Sequence, residues 1–263
     1  MNRIKKYSNF INESSYIDEF KLLYDSAPQD LKDIVDATKD IEQSKEWHPE
    51  GNVYIHTRLV TNRLQNCYND INLSLAGFFH DLGKVTTTDW NEEKQSWTAH
   101  GHEDDSANIV HKYEDWILAL GGDPKIIDFI VKNHMRIKYL NDFRLQEKIK
   151  FLNEPFFEYV HKFSTADYGG TELECKPLMD LSKIEQQISE YKEREEKNKI
   201  ISSKFNGRIL MELYPELKGE KLGDAISGFK NQFDDFTQYA LAMDKEKILK
   251  DFDIYYTEYH EKI

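Results

Sequence analysis

Six side chains of the metal-binding types fall where helices could bring them together: His56, His80, Asp81, His102, His134 and Asp167. His80 and Asp81 adjoin in "LAGFFHDLGK" (75–84), directly after an apolar run that a helix would bury. Neighbours on a helix point about 100° apart, so both reach one ion only where the ion sits against the helix end. Gly83 is expected to turn the chain there. His56 lies in "VYIHTRLVTNRL", whose Val53, Leu59, Val60 and Leu64 are expected to pack on "LSLAGFF" and carry His56 to His80. Asp167, in "HKFSTADYGG", would close a His-His-Asp-Asp shell, and His102 and His134 would hold a second ion that shares Asp81. Imidazole with carboxylate suits Mn, Fe, Co, Ni or Zn, with Mg allowed. Two such ions clamp a phosphoryl group and activate water.

Other residues carry two readings each. Lys84 either faces a phosphate or is a cation at a helix C-terminus, where the macrodipole contributes about 0.3–1 kcal/mol. Arg136 and Arg58 could hold a phosphate bidentately or form surface ion pairs, and His100 could touch substrate or solvent. His48, between Trp47 and Pro49, reads as a structural corner, and His111, His161 and His260 read as structural or solvated. Cys67 and Cys175, without CxxC spacing, read as ordinary thiols.

The elements that must position these residues are helical. Apolar residues recur at helical spacing and alternating runs are nearly absent, which predicts an all-α chain. Helices are expected at about 15–25, 29–38, 53–69, 71–82, 102–120, 124–136, 155–167, 177–204, 207–214, 219–231 and 234–260. Asp123-Pro124 supplies an N-cap and first-turn proline to the helix carrying His134. "LSKIEQQISEYKEREEKNK" keeps only a thin apolar stripe among its charges, which suits an exposed connecting helix. The organisation expected is a terminus at 1–14, a metal-binding domain at 15–176, a connecting helix at 177–205 and a C-terminal helical subdomain at 206–263.

The 263 residues, 39% hydrophobic and 32% charged, can build a sizeable core. A formal charge of −13 argues against a broad electrostatic grip on nucleic acid. No apolar run approaches the roughly 20 residues that cross a bilayer, and the first residues lack the apolar middle of a secretory signal. A cytoplasmic protein without a membrane partner is expected.

His56, the His80-Asp81 pair and Asp167 match the pattern of the HD superfamily of metal-dependent phosphohydrolases, and "GFFHDLGK" resembles its central motif. "WHPEGNVYIHT", "LAGFFHDLGK" and "HGHEDDSANIV" are similar to the HD domain of bacterial CCA-adding tRNA nucleotidyltransferases. "FNGRILMELYPELKGEKLG" is similar to the segment that follows it, although Ile209 and Gly219-Glu220 depart from the usual residues. The 45 residues before the matched region are too few for a nucleotidyltransferase head, so a free-standing HD module is expected. The resemblance implies hydrolysis of a nucleotide or RNA-end phosphoester, of 2′,3′-cyclic phosphodiesterase, 2′-nucleotidase or phosphatase type. In that reading Asp81 is the bridging or anchoring carboxylate and a candidate base, Lys84 takes up phosphoryl charge, and Arg58, His100 and Arg136 contact substrate, with tRNA a candidate partner.

The same six ligands also occur in HD-fold mixed-valent di-iron oxygenases, and an HD shell can bind RNA or protein without turnover; both remain open alternatives. "FINE", ending at Glu13, resembles the short leader of tailed-phage internal head proteins, which would imply a phage-encoded protein acting in a bacterial host or packaged in the head. A plain amphipathic terminus accounts for the same residues.

Overall fold

The computed structural model describes residues 18–43, 48, 50–93, 95–167, 175 and 179–260. The proposed leader lies outside them. The chain divides into two units, Met1–Leu181 and Ser182–Ile263.

The first unit is built on two helices, α1 (Val53–Tyr68) and α2 (Ile71–Phe79). The Asn52 side chain accepts a hydrogen bond from the Ile55 amide and starts α1, while Asn69, at φ 48°, ends it in the left-handed region. Asp70 then caps α2 by accepting from the Asn72 and Leu73 amides. Every residue of α2 from Leu73 to Phe79 is buried, and it packs along α1 through Val60 and Leu64. Each fully buried Leu or Phe contributes about 1.5–3 kcal/mol, so this pair is the mechanical centre of the unit. Gly77 permits the approach: a Cβ there would stand 2.9 Å from the Thr61 Cα.

Around this pair lie α3 (Lys84–Thr87), α4 (His102–Lys112), α5 (Glu114–Ala119), α6 (Pro124–Asn133), α7 (Leu145–Leu152) and α8 (Phe157–Asp167), with two helices of the N-terminal segment, Glu19–Ser26 and Gln29–Ala37. The all-α expectation holds, with local corrections. The predicted helix at 102–120 breaks at Tyr113, and 234–260 is two helices, Phe236–Ala242 and Lys245–His260. A 3-10 stretch Arg136–Asp142 and α7 occupy a region left unassigned from sequence. A hairpin of Thr88–Asn91 with Ser96–Ala99 stands between α3 and α4, its Trp90 and Trp97 paired across the strands at 5.3 Å. The alternation in such short strands is too brief to be read from sequence.

Cys67 and Cys175 form a disulfide across 108 residues of sequence, with Cα atoms 5.4 Å apart. This corrects the reading of both as thiols; the two positions meet only through the packing of the whole unit.

The second unit has its own core, with Phe205, Leu210, Phe229, Ile248 and Phe252 nearly sealed from solvent. The long helix Ser182–Lys204 opens it, and Lys204 Nζ donates to the carbonyls of Ala240 and Met243 at 3.0 and 2.7 Å.

Candidate metal centre

Five of the six ligand candidates sit at or beside helix ends. His80 is the C-cap residue of α2 with Asp81 next to it, His134 the C-cap residue of α6, Asp167 the last residue of α8 and His102 the first of α4. Only His56 lies inside a helix. Helix C-termini carry about half a negative charge each, so the convergence of the ends of α2 and α6 favours a cation before any carboxylate is counted.

Gly83 works differently from the turn expected of it. Its φ of −64° is ordinary, and its importance is space: a Cβ would stand 2.3 Å from the His102 carbonyl oxygen and 2.6 Å from the Ser106 amide. The Gly83 amide donates to Ser106 Oγ at 2.8 Å, and this close approach sets the start of α4 against Asp81.

The side chains converge in two overlapping groups: His56, His80 and Asp81, and Asp81, His102 and His134, with the ligand atoms in each within 4.8 Å of one another. His56 Nε2 lies 3.1 Å from Asp167 Oδ1 and 3.8 Å from Asp81 Oδ2. His80 Nε2 is 3.4 Å from Asp81 Oδ2 and 3.8 Å from Asp167 Oδ1, and His102 Nε2 is 3.3 Å from Asp81 Oδ1. Asp81 thus presents one oxygen to each group. All six side chains are buried or nearly so.

The ring orientations follow from what each Nδ1 meets. His80, His102 and His134 each donate from Nδ1 to the carbonyl three residues back, those of Gly77, Ala99 and Val131, at 2.6–2.8 Å. Each Nε2 then carries the lone pair and faces the centre. His102 Nε2 and His134 Nε2 then stand 3.2 Å apart, and among the described residues the buried His80 Nε2 has no well-formed hydrogen bond. A divalent cation satisfies these atoms together, so the donor set fits one. His56 differs. Its Nδ1 meets the buried carboxylate of Glu50 at 2.7 Å, which also lies 3.1 Å from His48 Nδ1.

Burial opposes a charge on His56, but the Asp167 and Glu50 carboxylates outweigh it and push its pKa up to about 9. Burial works equally against Glu50, yet His48 and His56 draw it down to about 2. Asp81, although buried, is held well below the usual carboxylate range by His80, Lys84 and His102, and Asp167 is held down by His56 and His80. His134 is lowered to about 3, by burial first and then, despite Asp167, by the neighbouring His80 and His102.

Lys84 Nζ donates to Asp81 Oδ2 at 2.7 Å and to Gln43 Oε1 at 2.8 Å, so it reaches the edge of the centre through the shared carboxylate. The other expected substrate contacts are placed elsewhere. Arg58 pairs with Asp18 at 2.5 Å, because two residues along a helix turn it about 200° away from His56. Arg136 donates to Asn133 Oδ1 at 2.7 Å and lies over the Phe151 ring at 4.5 Å, lining a cavity of about 350 Å³ with Phe143, Glu147 and Lys150. His100 is exposed at the foot of the hairpin. His111 bridges Glu114 and Asp128, and His161 bonds the Met179 carbonyl. Sequence reasoning missed Glu50 and Gln43; Glu50 stood inside the quoted "WHPEGN", where nothing local signals that its carboxylate faces a histidine six residues on.

Comparison with known proteins agrees with this geometry. Residues 53–168 match the HD domain family. A stretch of 79 residues, 30% of this chain, is 33% identical to the Multifunctional CCA protein of Shewanella frigidimarina (strain NCIMB 400) and covers 18% of it. A stretch of 121 residues, 46% of this chain, is 25% identical to the Multifunctional CCA protein of Vibrio campbellii (strain ATCC BAA-1116) and covers 29% of it. The chain therefore matches less than a third of the length of either relative. No solved structure matches. Residues 53–168, the stretch that matches the HD domain family, carry all six converging ligand candidates.

Proposed function

We propose that the protein hydrolyses a phosphomonoester or cyclic phosphodiester of a nucleotide or RNA end. The observation that carries this reading is Asp81, which offers one oxygen to each histidine group while Lys84 holds an ammonium against it. His56, His80, Asp81 and Asp167 would hold one divalent ion, and Asp81, His102 and His134 a second. Bound ions of this kind acidify water toward neutrality and neutralise phosphoryl oxygens.

The residues of the chain do the rest. The carbonyls of Gly77, Ala99 and Val131 keep three imidazoles in the tautomer that presents Nε2, so no ring must reorient before substrate enters. Burial of the cluster excludes bulk water and strengthens each charge interaction. The Lys84 ammonium lies beside the shared carboxylate, where developing negative charge on a phosphoryl oxygen would meet it. The likeness to the Multifunctional CCA proteins supports a nucleotide or RNA-end substrate over other phosphoesters.

A metal-by-substrate screen tests the reading. Purified protein with Mn, Fe, Co, Ni, Zn or Mg is expected to cleave at least one of 2′,3′-cyclic nucleotides, nucleoside monophosphates or RNA ends, and the His80→Ala/Asp81→Ala double variant none. Activity surviving in the double variant refutes the site. Oxygen consumption with a mixed-valent iron signal assigns oxygenase chemistry instead.

A further inference from the structure

Four imidazoles surround the centre, and their Nδ1 partners are unequal. Three meet neutral carbonyls of the residue three before them. The Nδ1 of His56 instead meets a carboxylate, Glu50 Oε1, at 2.7 Å. Glu103 approaches His102 Nδ1 at 3.4 Å, but a third of that side chain is in solvent and the Ala99 carbonyl is nearer, at 2.7 Å. The Glu50 side chain is 7% exposed, so its charge is poorly screened. Described residues on either side of it are held: Glu42 bridges Asn52, the Gln43 amide donates to the Gly51 carbonyl, and His48 meets Glu50 from the other side.

We infer that Glu50 is a positioning residue that makes the His56 end of the centre the tighter of two ion sites. The inference rests on the metal-binding reading of the cluster. A carboxylate on Nδ1–H fixes the ring and makes Nε2 a stronger donor than a carbonyl does. The same end also has Asp167 Oδ1 at 3.1 Å from His56 Nε2, while Asp81 is common to both groups. The hydrogen-bonded pair Glu50–His56 thus adds a buried negative charge behind one ligand of one group, against the more exposed and more distant Glu103 behind His102 in the other.

The test is calorimetric titration of Mn²⁺ alone into metal-stripped full-length wild type and the Glu50→Gln and Glu50→Asp variants, each checked for fold by circular dichroism. Glu50→Gln keeps the size and an acceptor but removes the charge. It is expected to weaken the tighter binding event about 10- to 100-fold, the usual effect of losing such a partner, and to leave the weaker event within about threefold. If wild type binds one ion only, that event must weaken. Glu50→Asp is expected to regain part of the loss, which keeps the test decisive if the glutamine variant does not fold. Equal binding by wild type and Glu50→Gln, equal weakening of both events, or no difference between the Asp and Gln variants overturns the inference while leaving the metal site intact. Failure of wild type to bind any ion overturns the metal reading itself.

Discussion

His56 Nε2 lies 3.1 Å from Asp167 Oδ1, although 111 positions of sequence separate them. The contact joins the first turn of α1 to the last residue of α8, and it depends on both helices packing on α2. Asp167→Asn keeps the shape and removes the charge. It is expected to abolish the tighter metal-binding event, measured by metal content after dialysis, and to bring phosphoester turnover to the uncatalysed background. His134→Ala is expected to leave that tight ion bound.

Metal binding is expected to release a proton from His56. Its pKa is raised from the ordinary 6.5 to about 9, so in the metal-free protein the ring is charged at neutral pH. That raised value stabilises the metal-free fold fully below pH 6.5, and the contribution fades as pH rises through about 9. An ion on Nε2 must displace this proton. Affinity should therefore fall up to about tenfold for each pH unit below about 9, and calorimetry in buffers of different ionisation enthalpy should count close to one proton released at pH 7.

Lys84→Met removes the ammonium that Asp81 Oδ2 and Gln43 Oε1 share. If it takes up phosphoryl charge, kcat falls about 100-fold, the scale seen on removing one charge-stabilising donor, while metal content holds. An unchanged kcat with altered metal affinity would reduce Lys84 to a counter-ion of Asp81.

Gly83→Ala places a methyl group 2.3 Å from the His102 carbonyl oxygen, against backbone that cannot give way. Forced overpacking of this kind costs about 1–3 kcal/mol. Thermal melts should show a loss of roughly 2–4 °C per kcal/mol, together with weaker binding of the ion that uses His102.

Reduction of the Cys67–Cys175 disulfide opens a loop of 108 residues. Chain entropy puts the loss at about 3–5 kcal/mol, so reductant should lower the melting temperature of wild type and leave Cys67→Ser unchanged.

Much of the centre is local information. The helical period of α1 and α2, the caps at Asn52, Asp70 and Asp123, and the adjacent His80-Asp81 after a buried run are all set by neighbours within a few residues, because capping and periodicity act over that range. The six ligand candidates could therefore be named before their distances were known. Tertiary packing decided the rest. It turned Gly83 from a bend into a contact point, paired Cys67 with Cys175, drew Arg58 to Asp18 and Arg136 onto Phe151, and aimed Glu50 at His56. Each of these depends on where a side chain's partner lies in space, and a linear chain encodes that only through the sum of its packing.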